Sequence, residues 1–181
     1  MKFEKTGLEG CFIIEPTVFE DNRGYFMETF SQREFEANIG RVNFVQDNQS
    51  HSKRGVVRAL HYQVGDAAQA KLVRVLQGRV LDVAVDLRKD SLTFGEHIAV
   101  ELSETNKKQI FIPRGFAHGF VALSETAEFF YKCDNFYDKN AEAGIIYSDP
   151  DLKIDWVLSE SDITLSLKDA ALPLLKNARL S

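Results

Sequence analysis

The feature that most constrains the fold is a succession of short segments in which apolar and polar residues alternate, each ended by turn residues. Alternation with a period of two is typical of β-strands that bury one face. The chain lacks the strand–helix alternation of a parallel sheet. About ten strands and two short helices are predicted, a pattern that favours an antiparallel sandwich or barrel.

Local signals predict where several elements lie. Ser31 with Glu34 three residues later forms a capping-box pattern, so a helix is predicted to begin there and to stop at Gly40. A second short helix is predicted over 166–172. Strands are predicted over 42–48 and 56–63, with the polar residues 49–55 as the loop between them. In the second of these strands, simple alternation places Val57, Ala59, His61 and Gln63 on one face.

Composition limits the classes of function. A chain of 181 residues fits one domain over 1–181. Its net charge of −5 argues against a nucleic-acid partner, and no stretch reaches the roughly 20 apolar residues of a membrane span. The N-terminus does not resemble a signal peptide, so a cytoplasmic location is expected. Cys11 and Cys133 lack metal or redox spacing; buried free thiols are expected, with a disulfide as the alternative.

Two motifs carry the histidines of greatest interest, and together they resemble the signatures of cupin barrels. In the first, five residues separate Gly55 from His61, and Gln63 follows where cupins have a second metal-binding histidine. Lys71 stands at the position of the cupin glutamate. The second motif runs over 112–120 and contains His118. The resemblance implies an all-β, cupin-like antiparallel sandwich or jelly-roll barrel with a few short helices.

The replaced residues change the expected chemistry. An amide and a lysine are poor ligands for a transition metal, so no catalytic metal is predicted. A cavity lined by His61, Lys71, His118 and Tyr131 suits an anionic or enolate-forming ligand instead. A histidine titrates near neutrality and can act as a base, while a lysine can stabilise an oxyanion. The competing interpretation is that these histidines are only structural strand residues.

A more specific resemblance covers nearly the whole chain, from about residue 8 to 175. The segments RALHYQ at 58–63 and KLVRV at 71–75 resemble the dTDP-4-dehydrorhamnose 3,5-epimerases. Further matching segments, in the same order as in that family, are IEPTVFEDNRGYFMETF at 14–30, QDNQS at 46–50, PRGFAHGF at 113–120, YKC at 131–133 and SLKD at 166–169.

This resemblance implies a cofactor-free epimerase of dTDP-L-rhamnose synthesis that acts on dTDP-4-keto-6-deoxyglucose and forms dTDP-4-dehydro-L-rhamnose through enolates. It implies that His61 is the base, that Asp169 orients it, that Tyr131 donates a proton on the other face and that Lys71 holds the oxyanion. Asp169 has a competing role, because it follows Ser166 by three residues and fits a helix cap. Tyr131 can equally be a core residue of a Phe-rich strand.

The resemblance also implies a set of binding residues and a homodimer. Arg23 and Arg58 are expected at the diphosphate, where guanidinium pairs well with phosphate. Tyr137 or Phe26 is expected to stack on thymine. The N-terminal residues are expected to reach the partner's site, although some of them fit a solvated strand and turn. The remaining matched positions expected to bind substrate are Phe19, Glu28, Gln46, Asn48, His118, Glu142 and Lys168.

Other functions remain open at this point. Within the superfamily, a 3-epimerase, a 5-epimerase or a 3,4-ketoisomerase would share the barrel and the base. A non-catalytic nucleotide-sugar binding module would bind without exchanging protons, which the intact His61 disfavours. A metal-dependent cupin enzyme would need a bound metal, against which Gln63 and Lys71 argue.

Overall fold

The computed structural model describes residues 1–180. These residues form thirteen strands and two α-helices. The strands are β1 (Lys2–Lys5), β2 (Phe12–Glu15), β3 (Val18–Asp21), β4 (Gly24–Met27), β5 (Gln46–Lys53), β6 (Val57–Gln63), β7 (Lys71–Gln77), β8 (Arg79–Asp86), β9 (His97–Ser103), β10 (Gln109–Ile112), β11 (Phe116–Ala122), β12 (Thr126–Cys133) and β13 (Glu142–Gly144). The helices are α1 (Gln32–Asn38) and α2 (Leu167–Ala170).

All thirteen strands pair in antiparallel ladders. One sheet has six strands in the order β1-β2-β10-β7-β12-β5, and a second has five in the order β13-β6-β11-β8-β9. The hairpin β3–β4 forms a separate two-stranded sheet. The predicted cupin-like antiparallel sandwich is confirmed.

Apolar side chains fill the space between the two large sheets. Val73 and Phe129 from the six-stranded sheet pack in one buried cluster with Ala84, Leu102 and Phe120 from the five-stranded sheet. Both sheets also bury residues on their outer faces, which explains why several strands show apolar runs. The C-terminal segment covers one outer face, and α1 with its flanking residues covers the other.

The prediction of a loop over 49–55 is wrong. Residues 46–53 form β5, which pairs with β12 along its whole length, from Gln46 opposite Cys133 to Lys53 opposite Thr126. The preceding 42–45, predicted as strand, is not one. β5 is an edge strand whose outer side chains are polar, as expected where an edge must resist unwanted pairing. Backbone pairing with β12 decided the structure against the local polar composition.

The helix-capping predictions had different outcomes. α1 begins after Ser31, but Ser31 makes no side-chain cap, and the Glu34 carboxylate instead accepts from the amino group of Met1 at 3.1 Å. The capping box is therefore wrong, while the helix itself is confirmed. In α2 the Ser166 hydroxyl accepts from the backbone N–H of Asp169 at 3.0 Å. That helix ends at Ala170, two residues earlier than predicted.

A β-bulge in β6 corrects the predicted strand face. His61 lies opposite His118 and Arg58 lies opposite Phe120, so three residue steps on β6 match two on β11. The extra residue places Arg58 and His61 on the cavity side, whereas Val57 and Ala59 pack under the C-terminal segment. A bulge changes the direction of the side chains beside it in this way.

No helix within residues 1–180 is long and apolar enough to cross a membrane.

Candidate active site

A cavity of about 310 Å³ opens between the two large sheets. Its walls come from β6, β11 and β13 on one side and from β5, β7 and β12 on the other. Residues that are distant in sequence meet there because the strands pair across the sheets. Eight of the residues predicted for the site line the cavity together: Asn48, Arg58, His61, Lys71, His118, Tyr131, Tyr137 and Glu142.

His61 and Asp169 form a hydrogen-bonded pair on the five-stranded side. His61 Nε2 lies 2.6 Å from Asp169 Oδ1, and the Asp169 side chain is almost completely buried. Burial lowers the pKa of His61 more than the contact with Asp169 raises it. The imidazole is therefore neutral near pH 7. When Nε2–H donates to Asp169, the lone pair of Nδ1 remains available to accept a proton.

Asp169 lies in the first turn of α2 and also contacts His61. Its backbone N–H is capped by Ser166, and its carboxylate reaches His61 instead of folding back to the start of the helix. A short parallel contact between Val56 and Thr164 anchors the segment that leads to α2. Gly55 permits this approach, because a Cβ there would collide with the carbonyl oxygen of Asp162. The glycine that begins the first motif thus helps to place the partner of His61.

Lys71 and Tyr131 lie on the six-stranded side of the cavity. Lys71 is 9% exposed, and within residues 1–180 no carboxylate oxygen lies within 4.0 Å of its ammonium group. Burial lowers the pKa of Lys71. Its Nζ lies 5.8 Å from the centre of the Tyr131 ring. Burial raises the pKa of Tyr131, so its hydroxyl keeps its proton near neutral pH.

His118 is the cross-strand neighbour of His61 and has its own carboxylate partner. His118 Nε2 lies 2.9 Å from Asp82 Oδ2, and Asp82 is fully buried. The other oxygen, Asp82 Oδ1, is buried and lacks a partner among residues 1–180. Sequence reasoning selected His118 but not Asp82. The available signal was the alternation of β8, which sets Asp82 on the face opposite Leu81 and Val83 and hence toward the space between the sheets.

Several predicted binding residues gather at the mouth. The Arg58 guanidinium donates to Ser52 Oγ at 3.2 Å, and the residue remains exposed. Lys168 lies just outside the cavity lining and pairs with Glu142 at 2.5 Å. Gln46 donates to Asn48 Oδ1 at 3.0 Å. The mouth therefore presents the Arg58 guanidinium and the Lys168–Glu142 ion pair beside hydrogen-bonded amide side chains.

Four further predicted residues lie away from the cavity of their own chain, on or just after the hairpin β3–β4. Phe19, Arg23 and Phe26 line a separate hollow on the hairpin β3–β4, and Glu28 follows that hairpin. Phe19 is 62% exposed and Phe26 is 70% exposed, while Arg23 pairs with Asp21 at 2.6 Å. The hairpin projects its aromatic side chains away from its own core.

Gln63 is occupied by protein groups rather than free to bind a metal. Its amide nitrogen donates to the carbonyl oxygens of Ala67 at 2.7 Å and Phe136 at 3.1 Å, and its Oε1 accepts from the N–H of Asp138 at 2.6 Å. Among residues 1–180, no three His, Cys, Asp or Glu side chains are grouped so that they can hold a metal ion. Lining residues that sequence reasoning did not single out as ligand-binding are Gln49, Ser50, Tyr62, Gln63, Gln69, Phe120 and Phe129.

Comparison with known proteins gives consistent matches over nearly the full length. The family model for dTDP-4-dehydrorhamnose 3,5-epimerase matches residues 5–177. The dTDP-4-dehydrorhamnose 3,5-epimerase of Salmonella typhimurium is 53% identical over 178 residues, which is 98% of this chain and 97% of that protein. The crystal structure of the Elizabethkingia anophelis enzyme of that name is 57% identical, has a TM-score of 0.95, and is matched over 98% of this chain and 97% of that one.

A third match includes a bound sugar nucleotide. It is the crystal structure of dTDP-6-deoxy-D-glucose-3,5-epimerase from Legionella pneumophila in complex with dTDP-4-keto-L-rhamnose. It is 48% identical to this chain and has a TM-score of 0.93. The match covers 97% of this chain and 93% of that one.

Proposed function

This chain belongs to the dTDP-4-dehydrorhamnose 3,5-epimerase family, and we propose that it converts dTDP-4-dehydro-6-deoxy-D-glucose to dTDP-4-dehydro-L-rhamnose by inverting C3 and C5. It is an isomerase of the dTDP-rhamnose pathway. The substrate's 4-keto group acidifies the protons on the neighbouring carbons. Removal of either proton gives an enolate, and return of a proton to the opposite face inverts the carbon.

One observation carries the proposal. Inversion needs a proton acceptor and a proton donor on opposite sides of the sugar ring. His61 comes from the five-stranded sheet, whereas Lys71 and Tyr131 come from the six-stranded sheet, and all three line the same cavity. A ring seated between the sheets would therefore have a base on one face and an acid on the other.

The four groups have distinct roles in this proposal. His61 removes the proton, because it is neutral and has a free ring nitrogen. Asp169 fixes its tautomer and stabilises the imidazolium that forms. Lys71, a buried cation without a carboxylate partner among residues 1–180, holds the enolate oxygen. Tyr131, kept protonated by burial, returns a proton from the other side.

Further groups at the cavity and its mouth bind the ligand. His118, oriented by Asp82, is placed to hydrogen-bond the sugar beside His61. Arg58 is an exposed cation at the mouth and meets the diphosphate, where guanidinium forms strong charge-assisted bonds. Tyr137 stacks on the thymine base. The polar groups that hydrogen-bond the nucleotide or sugar are Gln46, Asn48, Glu142 and Lys168.

We propose a homodimer in which the β3–β4 hairpin completes the partner's site. Phe19 and Phe26 are exposed on that hairpin, and large exposed aromatic side chains mark interaction surfaces. In the dimer, Phe19, Arg23, Phe26 and Glu28 would contact the nucleotide bound by the other protomer.

The thiols of Cys11 and Cys133 are buried and form no disulfide. Free thiols suit a reducing cytoplasm, where we place the enzyme.

Solvent exchange in deuterated water tests the reaction. With dTDP-4-keto-6-deoxyglucose as substrate, NMR of the product should show deuterium and inversion at both C3 and C5. Deuterium at only one of the two carbons would show that the enzyme is a single epimerase. Tight binding without exchange would contradict catalysis and support the binding module.

A further inference from the structure

Tyr137 is an exposed aromatic side chain on the rim of the cavity that is nevertheless held at fixed points. It lies beyond the end of β12 and is 54% exposed. Its backbone N–H donates to Gln46 Oε1 at 3.1 Å, and its hydroxyl donates to Glu142 Oε2 at 3.0 Å. Loop residues with exposed side chains are usually mobile, so such restraint on a rim aromatic is informative.

The side-chain amide of Gln63 forms hydrogen bonds with the backbone on both sides of Tyr137. It donates to the carbonyl of Phe136 and accepts from the N–H of Asp138, so it bonds the residues immediately before and after Tyr137. A primary amide in this position imitates the donor and acceptor of a neighbouring β-strand. Gln63 is 6% exposed, and its amide nitrogen also donates to Ala67 on the adjacent loop. The bonds to Phe136 and Asp138 connect the five-stranded sheet to the loop that carries Tyr137.

We propose that Gln63 is a positioning residue that fixes Tyr137 as a preorganised platform for a flat nucleobase. This inference rests on the proposed function and assigns a task to the side chain that replaces a cupin metal ligand. Ordering a side chain or loop on binding costs free energy that a preformed platform avoids. Gln63 therefore strengthens binding of the nucleotide without touching it, and it leaves the proton transfers at His61 unchanged.

The effect should appear in binding and in KM rather than in kcat. Gln63→Ala is expected to weaken dTDP binding, measured by calorimetry, by about 3- to 10-fold, since ordering one side chain costs about that much. KM should rise by a similar factor, while kcat stays within about twofold. Gln63→Glu keeps the acceptor but loses both donors, so it should bind dTDP about as weakly as the alanine variant.

Gln109→Ala is the matched control. Gln109 is a buried glutamine on β10 whose amide donates to the carbonyl of Thr29 at 2.8 Å, and it does not line the cavity. Its loss should lower thermal stability and leave dTDP affinity unchanged. The comparison separates the loss of a buried amide in general from the loss of the bonds around Tyr137.

A double-mutant cycle with Tyr137→Ala decides whether Gln63 acts through that ring. If it does, Gln63→Ala in the Tyr137→Ala background should weaken dTDP binding no further. Additive losses, unchanged dTDP affinity in both Gln63 variants, or a fall in kcat at constant KM would overturn the inference. A wild-type protein that fails to bind dTDP would overturn both this inference and the proposed function, whereas wild-type binding with unaffected Gln63 variants overturns the inference alone.

Discussion

At the scale of single residues, the environment of each side chain decides its chemical role. His61 and His118 face each other across two strands, and each has an aspartate partner. His61 lies beside a carboxylate on the short helix α2, while His118 is held by a carboxylate in the barrel interior. Lys71 is a buried cation that an anionic enolate would neutralise. In the proposed mechanism, these differences let His61 act as the base and Lys71 as the cation in one cavity.

Two groups in the cavity should give the activity a bell-shaped dependence on pH. The pKa of His61 is below its ordinary 6.5, and the base must be neutral, so kcat/KM should rise with pH through a midpoint below 6.5. The pKa of Lys71 is below its ordinary 10.5, and the cation must be charged, so kcat/KM should fall through a midpoint below 10.5. Initial rates over a pH series measure both limbs. An acidic limb centred above 6.5 would contradict the assignment of His61 as a base kept neutral by burial.

At the scale of elements, the bulge in β6 is the feature that aims the base. Opposite the bulge, Gly119 lies so close to the other strand that a Cβ would collide with Ala59. The bulge and the glycine together let Arg58 and His61 share the cavity face.

Gly119→Ala tests this arrangement. The added methyl group has no room, so the free energy of unfolding should fall by about 1–3 kcal/mol, as measured by urea denaturation. Activity should fall as well, because the strand that carries His61 must shift. Gly7→Ala is the control, since a Cβ there would meet nothing within 4 Å. Equal stability of the two variants would show that the close approach at Gly119 is not needed.

Most strands were predictable from sequence, and the failures share a cause. The strand predicted over 56–63 is found as β6, at Val57–Gln63. Residues 49–53 of β5 were missed because their strand structure depends on pairing with β12, which is distant in sequence. The bulge was missed because nothing in the sequence of β6 marks the extra residue. In each case the deciding interaction is a pairing between strands that local patterns do not contain.

The site residues also divide into those that the sequence identifies and those that only the fold reveals. The family motifs identify His61, Lys71, Tyr131 and Asp169 from the sequence, and the fold brings all four together. Asp82 was not found, because a single aspartate in a strand gives no sign of its distant partner. The bonds of the Gln63 side chain also depend on loops that only the fold brings near it.

At the scale of the whole molecule, the proposed homodimer would complete the site with residues from the partner. The β3–β4 hairpin does not line the cavity of its own chain. It nevertheless carries three predicted binding residues, and a fourth, Glu28, follows it directly. Its exposed phenylalanines are accounted for if a second copy covers them. The homodimer proposal therefore accounts for the exposed phenylalanines of the hairpin and for the predicted binding residues that lie away from the cavity of their own chain.

Subunit complementation tests this proposal. His61→Ala and Phe26→Ala proteins, each weakly active alone, are mixed under conditions that exchange subunits. If the hairpin acts in the partner's site, each mixed dimer has one intact site and one defective site. Activity per mixed dimer should then recover toward about half that of a wild-type dimer. If the hairpin acts within its own chain, both sites stay defective, and activity should not recover. Native mass spectrometry, with the two variants carrying tags of different mass, confirms that mixed dimers are present.

The central claim is that base and acid act from opposite sheets, and the most direct test measures proton exchange and inversion separately. Wild type, His61→Ala and Tyr131→Phe are each incubated with dTDP-4-keto-6-deoxyglucose in deuterated water and followed by NMR. His61→Ala should keep less than about a hundredth of the exchange rate while still binding substrate. Tyr131→Phe should still exchange protons but lose net inversion at one carbon or more. Unchanged inversion in Tyr131→Phe, or substantial exchange in His61→Ala, would contradict the account.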